Sequence, residues 1–386
     1  MLFTATDFVS LKLPPGIDAL RRDVRAFLAE QRSAGSFEPH LGHGEFDPEF
    51  SQALGARGWI GMTWPRQYGG HERSYLERFV VTEELLAAAA PVAAHWVADR
   101  QTGPSLLRWG NETQRQKYLP EIAAGRCYFA IGMSEPNSGS DLASVRTRAT
   151  QTTGGWVLNG QKVWTSWAHK ATAMFVLCRT SPLGEKKHEG LSQLIVDLKS
   201  PGVKIRPINF LNGEHHFNEV FLDDVFVPDD MVLGTIGQGW RQVTSELALE
   251  RSGPERYMNT LPLYFALVDA LTQRGDRMAE HLLGTLLARF VSIRTMSLAI
   301  ASEFGREQVP DLATEAALVK DIGTHFEREV TEAFRSLMDC TPHLHAQDAL
   351  SRYLAEATIF APISTIRGGT TQVLRGIVAK RLGAQQ

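Results

Sequence analysis

The chain has 386 residues, enough for two or three packed layers or domains. Hydrophobic residues make up 43% and charged residues 22%, ordinary globular values. The net charge of −3 removes the electrostatic case for a nucleic-acid partner, which calls for a concentrated basic surface.

In chain order, Met1 to Gly16 lacks a basic stretch followed by an apolar run, so no signal peptide is expected and a cytoplasmic location follows. Ile17, Leu20, Val24 and Phe27 recur at helical spacing, with Asp18 placed to start that helix after Pro14-Pro15-Gly16. A second helix is predicted from Asp47 to Arg57, stopping at Gly58. Trp64 to Gly70 is a turn-rich break, and the helical pattern resumes from Tyr75 to Ala90 and in pieces up to Ala124. The longest apolar run, Leu85 to Ala94, is too short to span a bilayer and contains Pro91, so no membrane association is expected.

From about residue 128 the pattern changes. Trp156 to Trp164 reads as two extended runs around Asn159-Gly160, a strong hairpin signal because both residues tolerate positive φ. Met174–Cys178, Leu191–Leu198, Val203–Ile208 and Phe217–Leu222 also read as strands, punctuated by Pro201-Gly202 and Asn212-Gly213. Short strands at this spacing suggest a small β-barrel or sandwich. Helices return after residue 235. The apolar stripe Leu282, Leu283, Leu286, Leu287, Phe290, Ile293 and Met296 is wide enough to predict a helix buried on more than one side, despite Arg289 and Arg294. Later helices are expected over Leu312–Met338, Gln347–Phe360 and Gln372–Leu382. The fold class is therefore α+β, with domains at 1–127 (helical), 128–234 (β) and 235–386 (helical bundle). Cys127, Cys178 and Cys340 are odd in number and far apart, which suggests neither a disulfide framework nor a metal site.

The most specific segment is Met133-Ser134-Glu135-Pro136-Asn137-Ser138-Gly139-Ser140-Asp141-Leu142, a polar Gly/Ser loop leaving a strand. Such a loop offers N–H groups and short hydroxyls to an anionic or carbonyl-rich ligand. It resembles the flavin loop of the acyl-CoA dehydrogenase family, (T/S)-E-P-x-x-G-S-D. Gly160 to Ser166 resembles that family's second flavin segment. Phe217 to Phe221, Val227-Pro228 and Gly237-Gln238-Gly239-Trp240 resemble its barrel exit. The resemblance spans the chain in the right order. It implies an N-terminal helical domain, a β-barrel and a four-helix C-terminal domain, with FAD as cofactor.

Residue by residue, the resemblance implies that Met133 and Ser134 donate hydrogen bonds at the pyrimidine edge of the flavin. Such donors stabilise charge that builds there on reduction. Ser140 would contact the flavin phosphates or the substrate thioester. Trp164 would pack on the ring face away from substrate, the alternative being a core tryptophan. Ser166 would hydrogen-bond N5. Thr370 and Gln372 match positions at the adenosine half, and Thr370 also suits an N-cap. Glu135, Asp141 and His169 read as structural.

Dehydrogenation of a thioester needs a desolvated carboxylate beside Cα. Many members carry it in a Tyr-Glu-Gly-Thr motif, where this chain has Arg367-Gly368-Gly369-Thr370, and glycine has no side-chain base. The family's second location for the base matches Glu250, in Leu247-Ala248-Leu249-Glu250-Arg251. The competing reading is a solvated helix carboxylate paired with arginine, and Glu246 is the reserve candidate. Arg251 would pair with a carboxylate or with the CoA end of the substrate.

Two further family segments are missing. Gln273 to Met278 lacks the phenylalanine of an Arg-x-x-Phe-Gly loop, and Thr341 to Asp348 lacks a glycine cluster; both serve a partner's FAD. With Trp164 to His169, this pattern looks like a bacterial branch that includes heterotetrameric steroid side-chain enzymes of lipid metabolism and β-oxidation. The expectation is acyl-CoA dehydrogenation, with a bulky or branched acyl group, an unlike dehydrogenase-like subunit and an electron-transfer flavoprotein as acceptor. Alternatives are a non-catalytic companion subunit and a flavin monooxygenase or oxidase of the same fold.

Overall fold

The computed structural model describes residues 13–41, 45–272, 275–306 and 311–383. Gly16, at φ 85°, turns the chain into helix α1 (Ile17–Ser33), whose buried Ile17, Leu20, Val24, Phe27 and Leu28 follow the helical period. Asp18 stands in its first turn, where a carboxylate meets the positive end of the helix dipole, rather than at the cap. Helix α2 (Pro48–Ala56) is capped by Asp47, which accepts from the Phe50 amide, and Gly58 takes the left-handed turn beyond it. A capping box between Ser74 and Glu77 opens α3 (Tyr75–Ala87). Helix α4 (Ala93–Val97) runs through a π-turn (Ala98–Thr102) into α5 (Gly103–Trp109), and α6 (Glu112–Ala123) follows.

The β region is a mixed seven-stranded half-barrel built from β1 (Phe129–Gly132), β2 (Arg148–Thr152), β3 (Gly155–Ser166), β4 (Ala173–Arg179), β5 (Leu191–Asp197), β6 (Val203–Ile208) and β7 (Phe217–Pro228). Its order is β1-β4-β2-β3-β7-β6, with β5 also on β4; β1 and β2 run parallel to β4 and the other pairs are antiparallel. β4 is buried along its whole length, as its apolar run requires.

Two expectations are corrected here. Asn159-Gly160 does not turn a hairpin; β3 runs straight through it, with a register shift against β7 between Leu158 and Gly160. The Asn159 side chain exchanges hydrogen bonds with Asp224 (2.9 and 3.1 Å). A Cβ on Gly160 would stand 2.4 Å from Thr147 Oγ1, so the glycine serves close packing. The hairpin turn lies instead between β2 and β3, at Thr153-Gly154.

Helix α7 (Gly239–Ser252) leads to a 3₁₀ turn (Pro254–Arg256), then α8 (Leu261–Thr272), α9 (Arg277–Glu303), α10 (Ala313–Leu337), α11 (Ala349–Ser364) and α12 (Thr371–Arg381). The second correction concerns α9. Leu286, Ile293 and the stretch Ser297–Ile300 are buried, but Met278, Leu287 and Val291 are exposed, so its N-terminal half is covered on one side only. Among the described residues α9 alone is long and apolar enough to cross a membrane. Its Arg294 nevertheless pairs with Glu83 and its Arg289 with Glu329. Gln273 and Arg274 of the divergent loop lie outside the described residues.

The contacts divide the chain into two units, neither continuous in sequence. One comprises residues 1–45, 73–92 and 248–386; the other comprises 46–72 and 93–247. In the first, Glu83 and Glu84 of α3 hold Arg21 and Arg25 of α1 and Arg294 of α9. In the second, the half-barrel core meets Trp240 and Val243 at the start of α7.

Candidate active site

In the sheet unit, the loop after β1 is fixed by a buried ion pair. Glu135 accepts from the Arg146 and Thr147 amides (2.6 and 2.8 Å) and from Lys162 Nζ of β3 (2.9 Å). Lys162 is wholly buried and also donates to the Met133 carbonyl (3.0 Å). Burial alone would raise the Glu135 carboxyl, but Lys162 and the amides of this cluster hold it below the usual carboxylate range. The Val163 amide donates to the Ser134 carbonyl (2.9 Å), tying Met133 and Ser134 to the segment that carries Trp164 and Ser166. Asp141 stands at the surface and pairs with Lys187 (2.9 Å), so its carboxylate partner is a lysine rather than the loop amides.

Trp164 lies at a second register shift in β3, with φ 58° and 56% of its surface exposed. The core-tryptophan reading fails on that exposure. A bulky residue held in the left-handed region and turned outward is a strained feature of the kind found at ligand sites. Phe217 meets its ring edge-on at 5.8 Å. The next residue, Thr165, is fully buried and its hydroxyl has no hydrogen-bond partner. Ser166 is half-buried and Ser140 exposed. His169 takes a hydrogen bond relation with Asn218 (3.1 Å) and stacks on His215; burial lowers its pKa. Among the described residues no cluster of three metal-ligating side chains occurs.

In the helical unit, Glu250 lies near the end of α7 with its side chain 15% exposed. It is therefore not a solvated helix carboxylate, and its ion-pair partner is Arg256, not the adjacent Arg251. Arg256 reaches back from the 3₁₀ turn, with Nε donating to the Glu250 carbonyl (2.9 Å) and the guanidinium to Oε1. Oε2 is buried and has no hydrogen-bond partner. Gly368 adjoins this carboxylate: a Cβ there would stand 2.7 Å from Glu250 Oε1 and 3.2 Å from Lys320 Cε. Arg251 donates to the Gly368 carbonyl (3.0 Å), and Lys320 to that of Gly369 (2.8 Å). Burial works to raise the Glu250 carboxyl, but Arg256, Arg251, Lys320 and Arg367 together hold it below the usual range. Burial among these cations pushes the Lys320 ammonium down to about 7 and the Arg367 guanidinium down to about 10.

The sequence reading found Glu250 and Gly368 but not Arg256, Lys320 or Arg367 as their neighbours. The one local signal was Gly253-Pro254, which folds Arg256 back toward α7. Thr370 caps α12 by accepting from the Val373 amide (3.4 Å), and Gln372 is exposed on its first turn. Glu246 is buried one helical turn before Glu250.

The descriptions "Acyl-CoA dehydrogenase, N-terminal domain" and "Acyl-CoA dehydrogenase, middle domain" match residues 15–126 and 130–225. Acyl-CoA dehydrogenase IpdE1 of Mycobacterium tuberculosis is 32% identical over 95% of this chain and 97% of its own. The chain belongs to the acyl-CoA dehydrogenase family. It spans 45% of the length of acyl-CoA dehydrogenase FadE34 of Mycobacterium tuberculosis, to which it is 33% identical over 86% of its residues. Among solved acyl-CoA dehydrogenase folds, the Tcur3481-Tcur3483 steroid ACAD matches with a TM-score of 0.84 and 27% identity, covering 97% of this chain and 100% of that one. The ChsE4-ChsE5 complex from Mycobacterium tuberculosis gives 0.81 and 28%, covering 97% and 99%.

Proposed function

We propose that this acyl-CoA dehydrogenase removes the α-proton of an acyl-CoA thioester with Glu250, in an FAD-dependent oxidation of the Cα–Cβ bond. The observation that carries this is the juxtaposition of Glu250 and Gly368. The position where many family members hold the base has no side chain, and a desolvated carboxylate with one unpartnered oxygen stands beside it. Glu250 is ionised at neutral pH, the form that accepts a proton, while the cations that lower its pKa also weaken it as a base.

FAD, when bound, supplies the acceptor for the β-hydrogen. The residues of the sheet unit fit such a planar, polar-edged group: Trp164 offers an exposed aromatic face, and the loop of Met133 and Ser134 is tied to the same segment. Met133 and Ser134 then serve the pyrimidine edge, Ser166 the N5 position and Ser140 the phosphates or thioester, with Thr370 and Gln372 at the adenosine half. Lys162 and Glu135 keep the loop rigid for this task.

A bulky acyl group such as a steroid side chain is the substrate class we favour. The support is the likeness to a solved protein described as a steroid ACAD; the volume that Gly368 leaves is taken by the Glu250 carboxylate. The paired names Tcur3481-Tcur3483 and ChsE4-ChsE5 favour an unlike dehydrogenase subunit as partner. An electron-transfer flavoprotein is the proposed acceptor.

The test is Glu250→Gln in the assembled enzyme. It should keep the fold and the flavin absorbance yet lose flavin bleaching by acyl-CoA; bleaching at the parent rate would remove Glu250 as the base. Flavin per polypeptide and native mass of the chain purified alone test the partner. Stoichiometric FAD in a homo-oligomer would sink the unlike subunit.

A further inference from the structure

We propose that Arg256 is a positioning residue that clamps Glu250 through one carboxylate oxygen and the backbone, fixing the rotation of the carboxylate that removes the proton. This rests on the reading of Glu250 as the base.

Arg256 is 5% exposed, and a single planar guanidinium serves two acceptors of the same residue, the Glu250 carbonyl and Oε1. Two donors in a fixed fork restrict both the position and the rotation of the carboxylate. The turn that carries Arg256 is itself held. Its amide donates to the Gly253 carbonyl (3.2 Å), and Gly323 of α10 passes so close that a Cβ there would stand 2.5 Å from the Arg256 carbonyl. The other cations facing Glu250 are engaged differently. Arg251 of α7 and Lys320 of α10 spend hydrogen bonds on the carbonyls of Gly368 and Gly369, and Arg367 acts through its charge. Among the described residues Arg256 is thus the cation with a hydrogen bond to the carboxylate. Because Arg256 holds both Oε1 and the carbonyl of Glu250, the carboxylate is fixed rather than free to rotate.

Charge and geometry are separable. Arg256→Lys keeps a cation but loses the planar fork, whereas Arg256→Gln keeps a donor and loses the charge. The probe is acetoacetyl-CoA, a short thioester with exchangeable α-protons and no step that needs an oxidant. Its α-proton exchange with deuterated water is followed by NMR at saturating probe, across acid to neutral pH, in the assembled enzyme. The parent should accelerate exchange over buffer with a flat neutral rate, and Glu250→Gln should abolish the acceleration. Arg256→Gln should move the acid limb up by about one pH unit or more, since a carboxylate loses an adjacent cation. Arg256→Lys should leave that limb near the parent's while lowering the saturating rate about ten-fold, the signature of lost aim.

Parent-like exchange by Glu250→Gln, or no acceleration by the parent, would overturn the base and this proposal with it. Loss of exchange in Glu250→Gln together with a parent-like limb and rate in both Arg256 variants would overturn the clamp alone. Arg256→Lys keeps the test decisive if Arg256→Gln does not fold.

Discussion

Glu250 and Gly368 share one volume: the carboxylate Oε1 lies 2.7 Å from the point where a Cβ on Gly368 would stand. Gly368 also has φ 65°, a conformation that side chains resist. Gly368→Ala should therefore fail twice. Left-handed strain should cost about 1–2 kcal/mol of stability. Displacement of Glu250 should lower the acyl-CoA-dependent reduction rate on the order of a hundred-fold, as misplacement of a reacting group by about 1 Å does. Thermal unfolding and stopped-flow reduction read the two effects separately.

Trp164 predicts the opposite pattern. Its exposed ring adds little to the core, and its backbone sits at φ 58°. In the flavin-free protein, Trp164→Gly should relieve about 1 kcal/mol of left-handed strain and leave the melting temperature unchanged or raised, because flavin loss by itself lowers it in the loaded protein. The same variant should retain less flavin after gel filtration. A clear drop in melting temperature would return Trp164 to a structural role.

The buried pair of Lys162 and Glu135 should behave unlike the surface pair of Lys187 and Asp141. Glu135→Ala strands a fully buried ammonium and should cost about 3–5 kcal/mol in denaturant unfolding. Asp141→Ala removes a pair whose side chains are both more than half exposed and should leave stability nearly unchanged.

Lys320 makes stability depend on alkaline pH. Its folded pKa of about 7 lies below its ordinary value of 10.5. Below pH 7 both the folded and unfolded chains carry the charge, so the penalty of burying it is complete. Between pH 7 and 10.5 the unfolded chain binds more protons, and stability rises with pH. From pH 7 to 9 the gain should be on the order of 2 kcal/mol at about 1.4 kcal/mol per unit. Chemical unfolding of the parent against Lys320→Met at the two pH values checks it; equal slopes would contradict it.

What was legible in the sequence follows from how local each signal is. Helix α1 and strand β6 are written in their own residues, by a 3.6-residue stripe and by the bracketing Pro201-Gly202 and Asn212-Gly213. Strand β2 was missed because Arg-Ala-Thr-Gln-Thr buries one residue in five and shows no apolar alternation. Asn159-Gly160 misled because its meaning is set by Asp224 and Thr147, which no local pattern shows. The exposed side of α9 could not be read from composition, since apolar residues stand on both faces. At the site, motif order located Glu250, Gly368 and Trp164. Of the cations around Glu250, Arg251 and Arg256 are near in sequence, but Lys320 comes from α10 and Arg367 from a loop more than a hundred residues on, and only the fold brings these to the carboxylate.

The chain crosses between its two units four times, at residues 45, 72, 92 and 247. Synthesis therefore imposes an order on assembly. Helices α1 and α3 emerge from the ribosome early, yet Glu83 meets its partner Arg294 only after 211 further residues. Until then their apolar faces wait without the C-terminal helices that complete their unit, a long-range dependence that slows folding and exposes sticky surface. A nascent chain halted within the half-barrel would present that unfinished surface to chaperones. Cutting the gene at the sheet's boundaries would leave the helical unit in pieces.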